Sequence, residues 1–194
     1  MNKTLDFYNR NVETYFAVTV DANMSETRSR VLKYIPYQGQ ILDLGCGSGR
    51  DSKDFREKNY IVKPVDGSSE MAERATEYLQ QFVLCQTFEK LKFPPEIFDL
   101  IWACASLLHM PFNDLPAFLE RSSKWLKPDG YYYMSFKYGD FEGERDGRYY
   151  TDLNPNRLNQ LLKKVKTLRK FDIWTSNDVR TDIGTKWFNV ILKK

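Results

Sequence analysis

The seven consecutive residues Asp43-Leu44-Gly45-Cys46-Gly47-Ser48-Gly49 place an acid first and a glycine at every second position after it. Glycine allows a backbone to turn tightly and to approach a bound molecule closely. The apolar run Gln40 to Leu44 before the turn reads as a strand, and Arg50 to Lys58 after it as a helix, whose N-terminus leaves N–H groups free for a ligand. Such a turn also joins strands to helices for structural reasons alone. A second residue favours a ligand: Asp66 closes the next predicted strand, Tyr60 to Val65, 23 residues after Asp43. That is close to the spacing at which a carboxylate takes up both hydroxyls of a ribose. Strand, glycine turn, helix, strand and acid agree on a ribose-bearing ligand, with a dinucleotide and S-adenosylmethionine (SAM) as the two candidate classes.

Other elements must hold these residues in place. Two helical stretches between Asp6 and Lys33 precede the first strand, and Ser68 or Ser69 caps a helix through Met71, Ala72, Ala75 and Leu79. A very short third strand covers Phe82 to Leu84. The continuous apolar run Phe98 to Cys104 predicts a strand buried on both faces. A helix over Asn113 to Lys127, the turn Pro128-Asp129-Gly130 and a strand from Tyr131 to Phe136 follow. Asn154 is the expected N-cap of a helix opened by Pro155, and strands near Thr167 to Thr175 and Lys186 to Leu192 end the chain. This alternation specifies an open, mainly parallel α/β sheet, read as one domain over residues 1–194.

Composition removes several alternatives. The 42% hydrophobic and 28% charged residues of the 194 are those of a globular protein. No apolar run approaches the length of a membrane span and no signal peptide is apparent, so a cytoplasmic location is expected, without membrane association. Three widely spaced cysteines and one histidine predict free thiols and no metal site. The net charge of +3 is uneven: residues 155–194 hold 10 Lys/Arg against 3 Asp/Glu, which reads as a solvated basic face before it reads as a nucleic-acid surface.

The run Ile41-Leu42-Asp43-Leu44-Gly45-Cys46-Gly47-Ser48-Gly49-Arg50-Asp51 resembles the first motif of the class I SAM-dependent methyltransferases. Dinucleotide turns space their glycines differently and lack the leading acid. Asp66, Thr87-Phe88-Glu89, Phe98 to Ala103 and Pro128-Asp129-Gly130 are similar to that family's later stations, and within it the chain resembles the small tellurite-resistance-type and uncharacterised bacterial enzymes. The resemblance implies a Rossmann-like seven-stranded sheet, helices on both faces and an antiparallel last strand. It further implies SAM as cofactor and residues 1–35 as a helical cover that brings Tyr8, Asn9, Tyr15 and Thr19 over it. On this reading Asp43 supports the turn, and Gly45, Cys46 and Gly47 approach the methionine part. Asp66 holds the ribose, Thr87, Phe88 and Glu89 lie near the adenine, Ala103 and Ala105 flank the amino-acid end, and Gly67, Ser68 and Met71 belong to the same cofactor site.

The acceptor is less legible. SAM brings its own activation, so a catalytic acid or base is optional. The residues after the fourth strand, Trp102-Ala103-Cys104-Ala105-Ser106-Leu107-Leu108-His109, carry no motif of the DNA amino-group or cytosine-C5 methyltransferases, and a small-molecule acceptor is expected. His109 is the candidate base, and Cys104 reads as a buried strand residue. The polar, glycine-broken stretch from Ser135 to Asp152 reads as a mobile loop whose Lys137, Tyr138, Arg145, Arg148 and Tyr149 suit an anionic acceptor. Two readings stay open beside this one. The first is an RNA or nucleotide methyltransferase that uses the basic C-terminal part, Tyr131-Tyr132-Tyr133 and Tyr149-Tyr150; the second is a SAM-binding module without turnover.

Overall fold

A computed structural model describes residues 3–180 and 184–194. The sheet strands are β1 (Gln40–Leu44), β2 (Ile61–Asp66), β3 (Leu84–Cys85), β4 (Phe98–Ala103), β5 (Leu126–Lys137), β8 (Arg169–Asn177) and β9 (Lys186–Lys193), and β6 (Glu142–Arg145) and β7 (Arg148–Thr151) form a separate hairpin. The seven sheet strands run in the order β3-β2-β1-β4-β5-β9-β8. Neighbours from β3 to β5 pair in parallel, and β9 is antiparallel to both β5 and β8. This is the Rossmann-like sheet with an antiparallel last strand that the sequence predicts. The order reverses between β1 and β4, and the crevice beyond their carboxyl ends is where such sheets bind ligands.

The apolar runs account for the centre. β4 has Leu100, Ile101, Trp102 and Ala103 without exposure because helices cover both of its faces. Trp102 stacks on Tyr133 of β5 at 4.1 Å between ring centroids, and its other neighbour, Phe55, meets it edge-on at 5.2 Å. Tyr132 and Tyr133 are wholly buried in this central strand and Tyr131 stacks on Tyr34, so this triplet is not an exposed stacking platform for nucleic acid.

Several expectations change in detail. The N-terminal part is three helices, α1 (Lys3–Arg10), α2 (Val12–Thr19) and α3 (Ser25–Leu32). α4 (Arg50–Glu57) follows the glycine turn, and α5 (Ser69–Leu79) is capped by Ser68, whose hydroxyl accepts the Met71 N–H. α6 (Leu115–Ser122) is shorter than predicted and passes into a 3-10 turn, and α7 (Pro155–Leu162) has the predicted cap, the Asn154 side chain accepting the Arg157 N–H. The stretch expected as a mobile loop is instead the β6–β7 hairpin, in which Glu142 to Arg145 pair with Arg148 to Thr151. Tyr150 on one face of β7 and Leu153 just after it join the core, which gives the hairpin a side to bury. No helix among the described residues is long and apolar enough to cross a membrane.

Candidate active site

The glycine turn is held open by its neighbours. Gly45, Gly47 and Gly49 all have positive φ, at 77°, 54° and 81°. A Cβ on Gly45 would stand 2.5 Å from Cβ of Ser106, so the backbone passes this point only without a side chain. The N–H groups of Gly45 and Cys46 both donate to the Val65 carbonyl, and the Gly47 N–H donates to Oδ2 of Asp66 at 2.9 Å. Oδ1 of Asp66 accepts the Ser68 N–H, also at 2.9 Å. Asp66 therefore braces the turn as well as facing the crevice, and its remaining lone pairs can still accept from two hydroxyls. Burial raises its pKa, while the Ser68 and Gly47 N–H bonds oppose that rise.

Beneath the turn Asp43 accepts the Ser52 hydroxyl at 2.6 Å, and burial together with the neighbouring Asp51 pushes its carboxyl up to about 7. Asp51 takes the opposite course. It accepts Arg28 at 2.7 Å, Arg50 at 2.8 and 3.0 Å and the Trp102 indole N–H at 3.0 Å. Burial would raise it, but the Arg50 and Arg28 guanidinium groups hold it down at about 2. The sequence motif pointed to the glycines and not to this charge network. Its signal was the Arg50-Asp51 pair directly after the turn.

From here a cavity of about 1140 Å³ runs across the carboxyl ends of β1, β2, β4 and β5 and out to β8 and β9. Asp43, Gly45, Cys46, Gly47, Asp66 and Gly67 line one end, joined by Met71, Thr87, Phe88 and Glu89. Arg121 fixes the last segment by donating to the carbonyls of Phe88 at 2.6 Å and Glu89 at 3.0 Å. Tyr15 reaches in from α2, with Cε1 3.6 Å from where a Gly47 Cβ would be. Ala105 lines the middle in a left-handed conformation, φ 52°, that is uncommon for alanine, and the Ser135 hydroxyl takes its N–H at 2.8 Å. Ala103 does not reach the cavity because it is sealed inside β4, and Ser68 spends itself on capping α5. Cys104, expected within the buried strand, stands just past its end on the cavity wall, where burial and Asp51 push its thiol up to about 12.

The far end combines residues from four separate parts of the chain. His109, in the 3-10 turn Leu107–His109, places Nδ1 2.6 Å from the Tyr149 carbonyl and Nε2 2.8 Å from the Tyr8 hydroxyl. A carbonyl can only accept, so Nδ1 carries the proton and the Tyr8 hydroxyl donates to Nε2. Burial lowers the His109 pKa to about 4 against the pull of the Tyr149 carbonyl, with the Arg148 and Lys137 charges adding to the drop. The imidazole expected from sequence to titrate near neutral pH is thus one that stays neutral down to about pH 4. Arg148 lies over the rings of Phe7 at 4.4 Å, Tyr150 at 5.2 Å and Tyr8 at 5.8 Å.

Of the residues expected at the acceptor, Lys137 and Arg148 line the cavity and Tyr138, Arg145 and Tyr149 do not. Tyr138 turns outward onto Phe188, and Arg145 is bound to the Asp152 carboxylate at 2.9 and 3.0 Å. Tyr149 points its hydroxyl at Glu142 and serves the site through its backbone. The hairpin pairing alternates side chains between faces, which is why Tyr149 and Tyr150 part company. Sequence reasoning missed the edge from Trp174 to Arg180, where Asp178 accepts Arg180 at 2.8 Å and the Trp187 indole at 3.1 Å, and the polar floor in which Asn189 accepts the Tyr133 hydroxyl at 2.8 Å.

Comparison with known proteins agrees with this geometry. Residues 42–134 match the family model described as a methyltransferase domain. An uncharacterised methyltransferase of Schizosaccharomyces pombe is 31% identical over 151 residues, covering 68% of this chain and 52% of its own length. The chain thus spans about half the length of that curated relative, and 19% and 37% of the next two. Among solved structures, the 1,6-didemethyltoxoflavin-N1-methyltransferase of Burkholderia thailandensis superposes with a TM-score of 0.76 at 20% identity, covering 98% of this chain and 86% of that one. The phosphoethanolamine N-methyltransferase 2 of Haemonchus contortus gives 0.74 at 16% identity, over 97% and 59%. The fold is that of these methyltransferase structures, and residues 42–134 carry the match to a methyltransferase domain.

Proposed function

We propose that this chain binds SAM and transfers its methyl group to a small-molecule acceptor. The observation that carries the reading is one continuous cavity with two ends. One holds the glycine turn and Asp66, and the other, past Ala105 and Cys104, is lined by polar side chains from β5, β7 and β9. The residues fit the cofactor because Gly45 passes Ser106 where no Cβ could stand and Asp66 keeps acceptor capacity beside it. SAM would supply an electrophilic methyl on a sulfonium. An acceptor's lone pair would take that methyl as the carbon–sulfur bond broke, which would leave S-adenosylhomocysteine and one proton for this chain's residues to remove.

Tyr8 and His109 suit the proton's removal. The acceptor proton passes to the Tyr8 oxygen while Tyr8 gives its own to Nε2 of His109. A base of low pKa suffices, because an attacking O–H or N–H becomes strongly acidic as the new bond forms. The named relatives support a small acceptor, since one acts on didemethyltoxoflavin and another on phosphoethanolamine. Four of the ten C-terminal Lys and Arg, namely Arg157, Arg180, Lys193 and Lys194, are engaged in ion pairs with Glu142, Asp178, Asp129 and Glu96, which disfavours the nucleic-acid reading.

The test is calorimetry with SAM, S-adenosylhomocysteine and NAD, followed by methyl transfer from labelled SAM to separated metabolite, RNA and protein fractions. Label in the metabolite fraction is expected. Preference for NAD would overturn the cofactor, label in RNA would overturn the acceptor class, and tight SAM binding with no labelled product in any fraction would make the chain a binding module.

A further inference from the structure

Four carboxylates around the far end of the cavity are already taken. Asp152 is bound to Arg145, Glu142 to Arg157, Glu144 to Lys3 and Asp178 to Arg180. Lys137 and Arg148 both line the cavity, and neither has a carboxylate within ion-pair distance among the described residues. Each faces an aromatic ring instead. The Lys137 ammonium is 4.4 Å from the centre of Tyr150, and the Arg148 guanidinium 5.2 Å from the same ring. Nε of Arg148 is buried without a hydrogen-bond partner. One further acid, Asp146 at the hairpin tip, also lines the cavity but stays at longer range.

Arg145 lies over the same Tyr150 ring at 5.0 Å, so three cations crowd it and only Arg145 has a carboxylate at ion-pair distance; like charges repel, and burying a charge without a partner is costly. The strain is visible in Lys137, whose pKa is lowered by burial and by Arg145 and Arg148 together. Folding alone gives no reason to converge them. Arg145 shows the alternative, since directly across the hairpin a guanidinium of the same kind is neutralised by Asp152.

We propose that Lys137 and Arg148 form an oxyanion subsite that clamps a carboxylate or phosphate group of the methyl acceptor. The inference deepens the proposed function by naming the acceptor's chemical class, and it rests on that reading for the word acceptor only. A bound oxyanion would take the Lys137 ammonium and the Arg148 donors in charge-assisted bonds. It would lie beside Tyr8, whose ring centre is 5.8 Å from the Arg148 guanidinium, so the anchored end and the proton-accepting end of the site adjoin. This anchor rests on Lys137 and Arg148 and not on Arg145, which the sequence had grouped with them.

The probes are phenyl phosphate, benzoate and the neutral benzamide, titrated by calorimetry into the protein with and without S-adenosylhomocysteine. At least one anion is expected to bind tenfold or more tightly than benzamide, and the phosphate and carboxylate arms decide which oxyanion is preferred. K137M and R148M should each weaken that anion about tenfold while S-adenosylhomocysteine affinity stays within twofold. R145M is the control and should leave anion binding within twofold. If R148M loosens the hairpin, K137Q reports on the same subsite from β5. Anions that bind no better than benzamide, or that bind K137M and R148M as well as the parent, overturn the proposal. Loss of S-adenosylhomocysteine binding in the parent protein would instead overturn the cofactor reading, and the anion preference measured without it would stand.

Discussion

The hydroxyl of Tyr8 and Nε2 of His109 lie 2.8 Å apart although 101 residues separate them in the chain. The contact closes α1 over the far end of the cavity, and two further bonds hold it there. The Tyr149 N–H donates to the Thr4 hydroxyl at 3.0 Å on one side, and on the other the Ser68 hydroxyl bonds to Oδ1 of Asn9 at 2.6 Å. If Tyr8 carries the acceptor proton toward His109, Y8F should lower kcat by about 10²-fold, the lower part of the range for acid–base groups. SAM affinity by calorimetry should stay within twofold. A fall in SAM affinity with kcat unchanged would make Tyr8 a lid residue only.

Acid should act on this protein through two buried groups of opposite sign. His109, lowered to about 4, contributes stability that is complete above its ordinary pKa of about 6.5 and is lost as pH falls toward 4. Asp43, raised to about 7, favours the folded state at low pH and loses that contribution as pH rises from about 4 to 7. Each is worth about 3–5 kcal/mol across the window at about 1.4 kcal/mol per pH unit, so they largely offset in the parent. Urea unfolding at several pH values should therefore show H109Q gaining stability relative to the parent as pH is lowered from 7 to 4.5, and D43N losing it. Parallel pH profiles for all three proteins would refute both assignments.

Asp51 is the shared partner of two guanidinium groups and an indole in a nearly dry setting, with side-chain exposures of 6% for itself and 9% for Arg28. Removing one member of such a network leaves buried charge uncompensated, typically at about 3–5 kcal/mol. D51A should lower stability by that order in chemical denaturation. R50K should cost less, because an ammonium keeps the charge but not the planar pair of bonds.

Asp66 both braces the glycine turn and offers acceptors to the crevice. D66A should weaken SAM binding by tenfold or more, as charge-assisted bonds contribute about 1.5–3 kcal/mol each. G45A should be at least as harmful, because its Cβ would fall 2.5 Å from that of Ser106, whereas the corresponding atom on Gly47 meets only Tyr15 at 3.6 Å. Calorimetry on the folded variants gives the answer. Wild-type affinity in both D66A and G45A would place the cofactor elsewhere.

What the sequence determined by itself is what local pattern can encode. Alternating apolar runs and caps gave the order of strands and helices, down to Asn154 and Ser68 as caps. The run from Asp43 to Gly49 with Asp66 marked one end of the cavity, because the tight turn needs glycines at fixed positions and the acid lies at a fixed distance along the chain. The other end depends on contacts that no local pattern records. Arg145 and Arg148 are paired directly across a two-stranded hairpin, and what tells them apart is the Asp152 carboxylate that binds Arg145 alone. His109 becomes a neutral acceptor only because the Tyr149 carbonyl fixes its tautomer and burial lowers its pKa. Asn189 and Trp187 reach the site because β9 runs antiparallel beside β5, which puts the beginning of a late strand next to the end of an earlier one. Periodicity fixes which elements form, while burial and long-range pairing fix which charges remain without partners.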